Sequence, residues 1–184
     1  MPTINVFTTP TPRPNENEIR NLLGADIILP GAGLFIQFPG DWTSDTDDPG
    51  RFDIILKAPQ PDRDAIGQAY PAISVGTDVP EGYDGPGRRF LDKTLEDGLP
   101  LLQGTLNDLR MIRAQVERLP TGESVLFEYS YNSEVAGRLH SVQYVVPGDT
   151  RVFLVTLTSL ESDWDRYART YNVAMATFSI LAGK

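Results

Sequence analysis

The sequence predicts an α+β fold organised around an antiparallel β-sheet, preceded by an extended N-terminal arm. Three observations carry this expectation. Beyond Gly33, short segments alternate apolar and polar residues with period two and stop at Pro/Gly turns. Two other stretches, 88–109 and 162–178, gather their apolar residues on one helical face. Residues 1–30 fit neither pattern, because Pro10, Pro12 and Pro14 lack a backbone donor and restrict their neighbours. A chain of 184 residues can bury a sizeable core without disulfide or metal staples, and this one has no cysteine.

The elements follow in order. Within the arm, Asn15 can cap one or two helical turns, with Glu16 and Glu18 near the positive end, and Ile27, Ile28 and Leu29 form a short apolar run. Leu34, Ile36 and Phe38 predict a strand closed by Pro39-Gly40-Asp41-Trp42, and Phe52, Ile54 and Leu56 predict a second. Ala72 to Val75 predicts a third, before a Gly/Pro-rich loop from Asp78 to Gly87. From Arg88, the residues Leu91, Leu95, Leu102, Leu106 and Leu109 lie on one helical face, interrupted by Gly98, Pro100 and Gly104, so a kinked helix or two short ones is expected. Four strands then read as an antiparallel meander: Met111–Arg118, Val125–Tyr131, Leu139–Val146 and Val152–Leu157, separated by turn residues. Ser162 and Asp165 approximate a capping box for a last helix. Its face carries Trp164, Tyr167, Ala168, Tyr171, Ala174, Met175 and Phe178, and a short terminal strand is expected over 177–181.

Charge and composition narrow the function. A formal net charge of −9 argues against nucleic acid and against anionic lipid surfaces, both of which select basic patches. No run of apolar residues is long enough to insert in a bilayer, and the first residues lack a secretory signal. With Met1 as the native start, the expected location is the cytoplasm.

Catalytic and metal chemistry find little support. The single histidine, His140, falls in a predicted strand, and no Ser–His–Asp set or G-x-S-x-G elbow accompanies it. Glu128 and Glu134 read as solvent-facing strand and turn residues. The acidic group Asp41, Asp45, Asp47 and Asp48 is a weak metal candidate. A calcium loop starting at Asp45 would put Pro49 and Leu56 where oxygen ligands belong. Gly31-Ala32-Gly33 precedes a strand and lacks the third glycine of a dinucleotide loop. No catalytic residue, metal or cofactor is therefore assigned. The candidate partner-binding residues are the apolar ones of the arm: Ile4, Val6, Phe7, Ile19, Leu22, Leu23, Ile27 and Ile28. They suit a segment that orders against a protein surface.

Three local signatures resemble the PsbP-like superfamily, which includes PsbP proteins, a Ran-binding import factor and DcrB-type proteins. They are Phe35-Ile36-Gln37-Phe38-Pro39-Gly40-Asp41-Trp42, Val152 to Ser159, and Trp164 through the last helix to Phe178-Ser179-Ile180. The resemblance covers residues 31–181, leaving 1–30 as an arm and 31–184 as the globular domain. It implies an α/β/α sandwich with a central antiparallel sheet, and a non-enzymatic role. The expected function is a protein-binding adaptor or accessory subunit docked on a larger assembly. The alternatives are a cytosolic DcrB/Eag-like chaperone with a secretion-system effector as client, and a PsbP-like photosynthetic accessory protein.

Overall fold

In a computed structural model of the chain, residues 13–29, 31–46, 52–59 and 71–181 are described. Helix α1 (Glu16–Leu22) is opened by a reciprocal capping box: the Asn15 side chain accepts from the Glu18 backbone N–H, while the Glu18 carboxylate accepts from that of Asn15. Strand β1 (Ala25–Leu29) follows, then β2 (Leu34–Phe38), β3 (Thr43–Asp45), β4 (Ile54–Lys57) and β5 (Ala72–Asp78). Helix α2 (Arg88–Thr105) leads into β6 (Asn107–Leu119), β7 (Gly122–Ser133), β8 (Gly137–Pro147) and β9 (Val152–Leu160). A 3₁₀ turn (Glu161–Asp163), helix α3 (Trp164–Thr177) and β10 (Ser179–Ile180) complete the order.

The strands form two sheets. Seven are ordered β3-β4-β5-β9-β8-β7-β6, with every neighbouring pair antiparallel. Three more form a small sheet ordered β1-β2-β10. The meander β6 to β9 is as expected, and each of its turns has a local cause. Gly137, for example, closes the β7–β8 turn at φ 83°, a left-handed conformation that costs glycine little. The small sheet, α1 and α3 cover one face of the large sheet, and α2 covers the other. The expected α/β/α sandwich is therefore the architecture.

Two apolar cores result from the period-two alternation. Along β7, Val125, Phe127 and Tyr129 join the core beneath α2, whereas Leu126 joins the core on the opposite face. The opposite core is the larger. It holds Leu34, Ile36, Ile54, Leu56, Ile73, Phe153, Tyr171 and Phe178, all fully or almost fully buried. Trp42 sits edge-on to Tyr167 and Tyr171 at centroid distances of 6.4 and 6.2 Å, tying the turn after β2 to α3.

Several local expectations need correction. The arm does not extend to residue 30, because residues 16–29 belong to the folded body. Strand β1 pairs with β2 from Ala25↔Phe38 to Leu29↔Leu34, and Leu23 lies in the core. The reason is the β2 edge: unpaired, it would leave backbone donors and acceptors open, and β1 satisfies them. Helix α2 is one continuous helix despite Pro100, which lies on its exposed side, where solvent can reach the Glu96 carbonyl freed by the missing donor. The chain leaves α2 at Leu106 and Leu109 lies in β6, yet both still pack into the core beneath α2. No Ser162 capping box forms; Asp163 is the N-cap of α3 and makes no side-chain cap bond, because a 3₁₀ turn delivers the chain. Strand β3 carries no alternation and was not expected.

Deleting residues 1–30 should therefore destabilise the domain. It strips β1 from β2 and removes Leu23 from the core, so a loss of at least about 4 kcal/mol is expected in urea unfolding.

Candidate functional site

Helix α2 connects β5, near one side of the large sheet, to β6 at its edge, so it must pass over the strands between them. Its apolar face holds Leu91, Leu95 and Leu102 against Val125, Phe127, Val145 and Val152. The helix comes close to the sheet at Gly98, where an added Cβ would stand 2.4 Å from Cζ of Phe127. Nearer its N-terminus the helix and loop 79–87 stand off from the sheet and leave a groove of about 590 Å³. Its floor is Phe127, Val145, Val152 and Leu154, with Gln143 as the polar residue among them.

The walls differ in chemistry. Arg89, Lys93, Asp97 and Leu101, four residues apart along α2, share a face and form one wall. Asp78, Glu81 and Asp84 line the other. Tyr83 fixes that second wall: its hydroxyl donates to the Gly148 carbonyl at 2.6 Å, and its ring meets Phe90 edge-on at 5.1 Å. Burial, and then the charges of Asp149 and Asp84, push the Tyr83 phenol above its ordinary pKa. Leu101, in the groove lining, stands 70% exposed, an unusual position for a large apolar side chain beside an apolar floor.

The residues singled out in the sequence lie elsewhere. Ile4, Val6, Phe7, Asp47 and Asp48 fall outside the described residues. Leu23 is buried, and Ile19, Leu22 and Ile27 pack half-buried against the main core, so these four are used internally. Ile28 points outward from β1 and is 54% exposed. Asp41 is exposed, and Asp45 accepts from Lys57 Nζ at 3.1 Å. Among the described residues no cluster of three or more potential ligands is placed to hold a metal. No described helix is long and apolar enough to cross a membrane.

No family model matches the sequence, and no curated protein matches it. Solved structures do. Cyanobacterial PsbP (CyanoP) from Synechocystis superposes with a TM-score of 0.59 at 14% identity, covering 85% of this chain and 91% of that one. PA94 from Pseudomonas aeruginosa gives 0.56 at 19% identity, with 83% and 94% covered. The Ran-binding protein Mog1p of Saccharomyces cerevisiae gives 0.54 at 10% identity, with 86% and 96% covered. The fold is PsbP-like. The three signatures that suggest it correspond to β2 with its turn, β9, and α3 with β10.

In this PsbP-like domain His140 serves as a clamp. Its ring stacks on Trp164 at 3.8 Å and 7°, and Nε2 lies 3.1 Å from Glu128 Oε1. Arg113 Nε donates to the other carboxylate oxygen of Glu128 at 3.0 Å. Glu128 is thus not a solvent-facing residue: it is held between β6 and β8 beside the start of α3. Burial opposes its ionisation, but the His140 hydrogen bond and the Arg113 charge together outweigh burial and hold its carboxyl below the usual value of 4.5.

The groove residues escaped sequence reasoning because they are spread over β5, the loop, α2, β7, β8 and β9. The one local signal was Leu101, which lies off the α2 stripe formed by Leu91, Leu95 and Leu102.

Two predictions test these contacts. Gly98→Ala should cost about 1–2 kcal/mol net in denaturant unfolding, because the clash with Phe127 exceeds a helix-propensity gain of about 1 kcal/mol. Gly104→Ala meets nothing within 4 Å and should be neutral or slightly stabilising. A depressed carboxyl pKa gives stability that is complete above the unfolded-state value and lost as pH falls through the folded-state value. Glu128→Gln should therefore cost about 1–3 kcal/mol at pH 7 and show a shallower acid dependence, its stability approaching that of wild type as the pH falls through the lowered folded-state value of Glu128.

Proposed function

We propose that this domain is a non-catalytic, protein-binding accessory subunit that docks on a larger assembly through the groove between α2, loop 79–87 and the sheet. The observation that carries this reading is an open apolar floor with exposed Leu101 at its mouth. A domain gains nothing from leaving such a surface in water. A partner that covers it turns the exposed area into binding energy, of order 25 cal/mol per Å² before the costs of association. The likeness to a protein described as Ran-binding and to a PsbP supports a binding role at the level of the fold.

A second reading, a cytosolic DcrB/Eag-like chaperone, uses the same groove to hold an apolar segment of a client such as a secretion-system effector. It is favoured by the groove having the sheet as its floor. The photosynthetic accessory reading gains only the likeness to CyanoP.

On this reading the binding site lies at the groove and not on the N-terminal residues. In affinity capture from native host lysate, wild type should recover a stoichiometric partner, and Leu101→Asp should lose it by at least about tenfold. Leu101 is surface-exposed, so the variant should keep the wild-type melting curve. Equal recovery by both would place the docking surface elsewhere.

A further inference from the structure

The groove also specifies the chemistry of what enters it, an inference that rests on the docking reading above. A small apolar ligand seated on the floor would leave Leu101, on the α2 wall, in water. An occupant that covers the floor and Leu101 together calls for a length of polypeptide with apolar anchors. Charge then constrains its flank. Asp78, Glu81 and Asp84 stand along the loop wall, and among the described residues neither Glu81 nor Asp84 makes an ion pair. Asp149 lies close enough to Tyr83 to add to the field on that side. These loop-wall carboxylates favour a cation laid beside them; Arg89 and Lys93 on the α2 wall offset only part of the negative charge, since Asp97 lies on that wall too.

We propose that the groove binds an amphipathic protein segment whose apolar face seats on the sheet floor and whose Lys/Arg flank lies against the loop bearing Asp78, Glu81 and Asp84. A segment with acidic flanks is disfavoured, because it would set like charges against Asp78, Glu81, Asp84 and Asp97, which outnumber Arg89 and Lys93 in the lining. Binding is weakened by salt, since the rim pairs are exposed and screened.

The test uses two labelled model peptides, read by fluorescence anisotropy on the full chain. One has leucines at helical spacing with lysines on the polar face; the other replaces every lysine by glutamate. The lysine peptide should bind, and the glutamate peptide should bind at least about tenfold more weakly. Neutralising the rim with Glu81→Gln and Asp84→Asn should weaken the lysine peptide about fivefold, the scale of two exposed ion pairs. Neutralising Glu123 and Glu134 in the same way removes the same charge at exposed sites that do not line the groove, and should leave affinity unchanged. Equal weakening by both double variants would reduce the effect to general attraction to an acidic protein and overturn the proposal. Equal binding of the two peptides would overturn the charge preference while leaving the groove as a docking site. Binding by neither would overturn both.

Discussion

A sheet that is apolar on both faces must be covered on both faces, and here the two covers are unequal. Seven strands spaced about 4.8 Å apart present a face nearly three helix diameters across. On one side that area is met by α3, α1 and the three-stranded sheet together. On the other side, among the described residues, it is met by α2 with Tyr83 of loop 79–87. A single helix crossing between β5 and the β6 edge cannot shield all the strands beneath it. What it leaves open is the Phe127, Val145, Val152 and Leu154 floor. The contact between Gly98 and Phe127 sets how closely the helix sits, and so fixes one end of the opening.

The well-covered face explains why the N-terminal residues are part of the body. Strand β1 completes the small sheet, and α1 is tied to α3 by Glu18, whose carboxylate accepts from Arg169 Nε at 3.0 Å. That hydrogen bond, together with the Asn15 backbone donor, holds the Glu18 carboxyl below its ordinary pKa. The His140–Trp164 stack then pins the start of α3 to β8, and Trp42 pins its middle to the turn after β2. A chain with one histidine has used it to hold layers together, buried beside Glu128.

Much of this was legible in the sequence wherever pattern is local. The alternation in β2, β7 and β9, the aromatic stripe of α3 and the Asn15 cap are written in consecutive residues, and the structure places them accordingly. Apolar residues in a proline-rich leader read as a partner-seeking arm, because nothing local reveals that the β2 edge is free to accept a strand. The helical stripe ran on to Leu109 because helix and strand can both present a leucine to the same core. The groove was invisible for a deeper reason. Among the described residues it is a gap in the cover, set by where α2 crosses the sheet, and no single segment encodes it.

The most direct test is site-specific photo-cross-linking in cells, with a benzophenone amino acid placed at residue 101 or at residue 28. Both side chains are exposed, one at the groove mouth and one on β1. A discrete adduct from position 101, with none from position 28, is the result that incomplete cover by α2 predicts. An adduct from position 28 alone would return the docking surface to the N-terminal strand and contradict it.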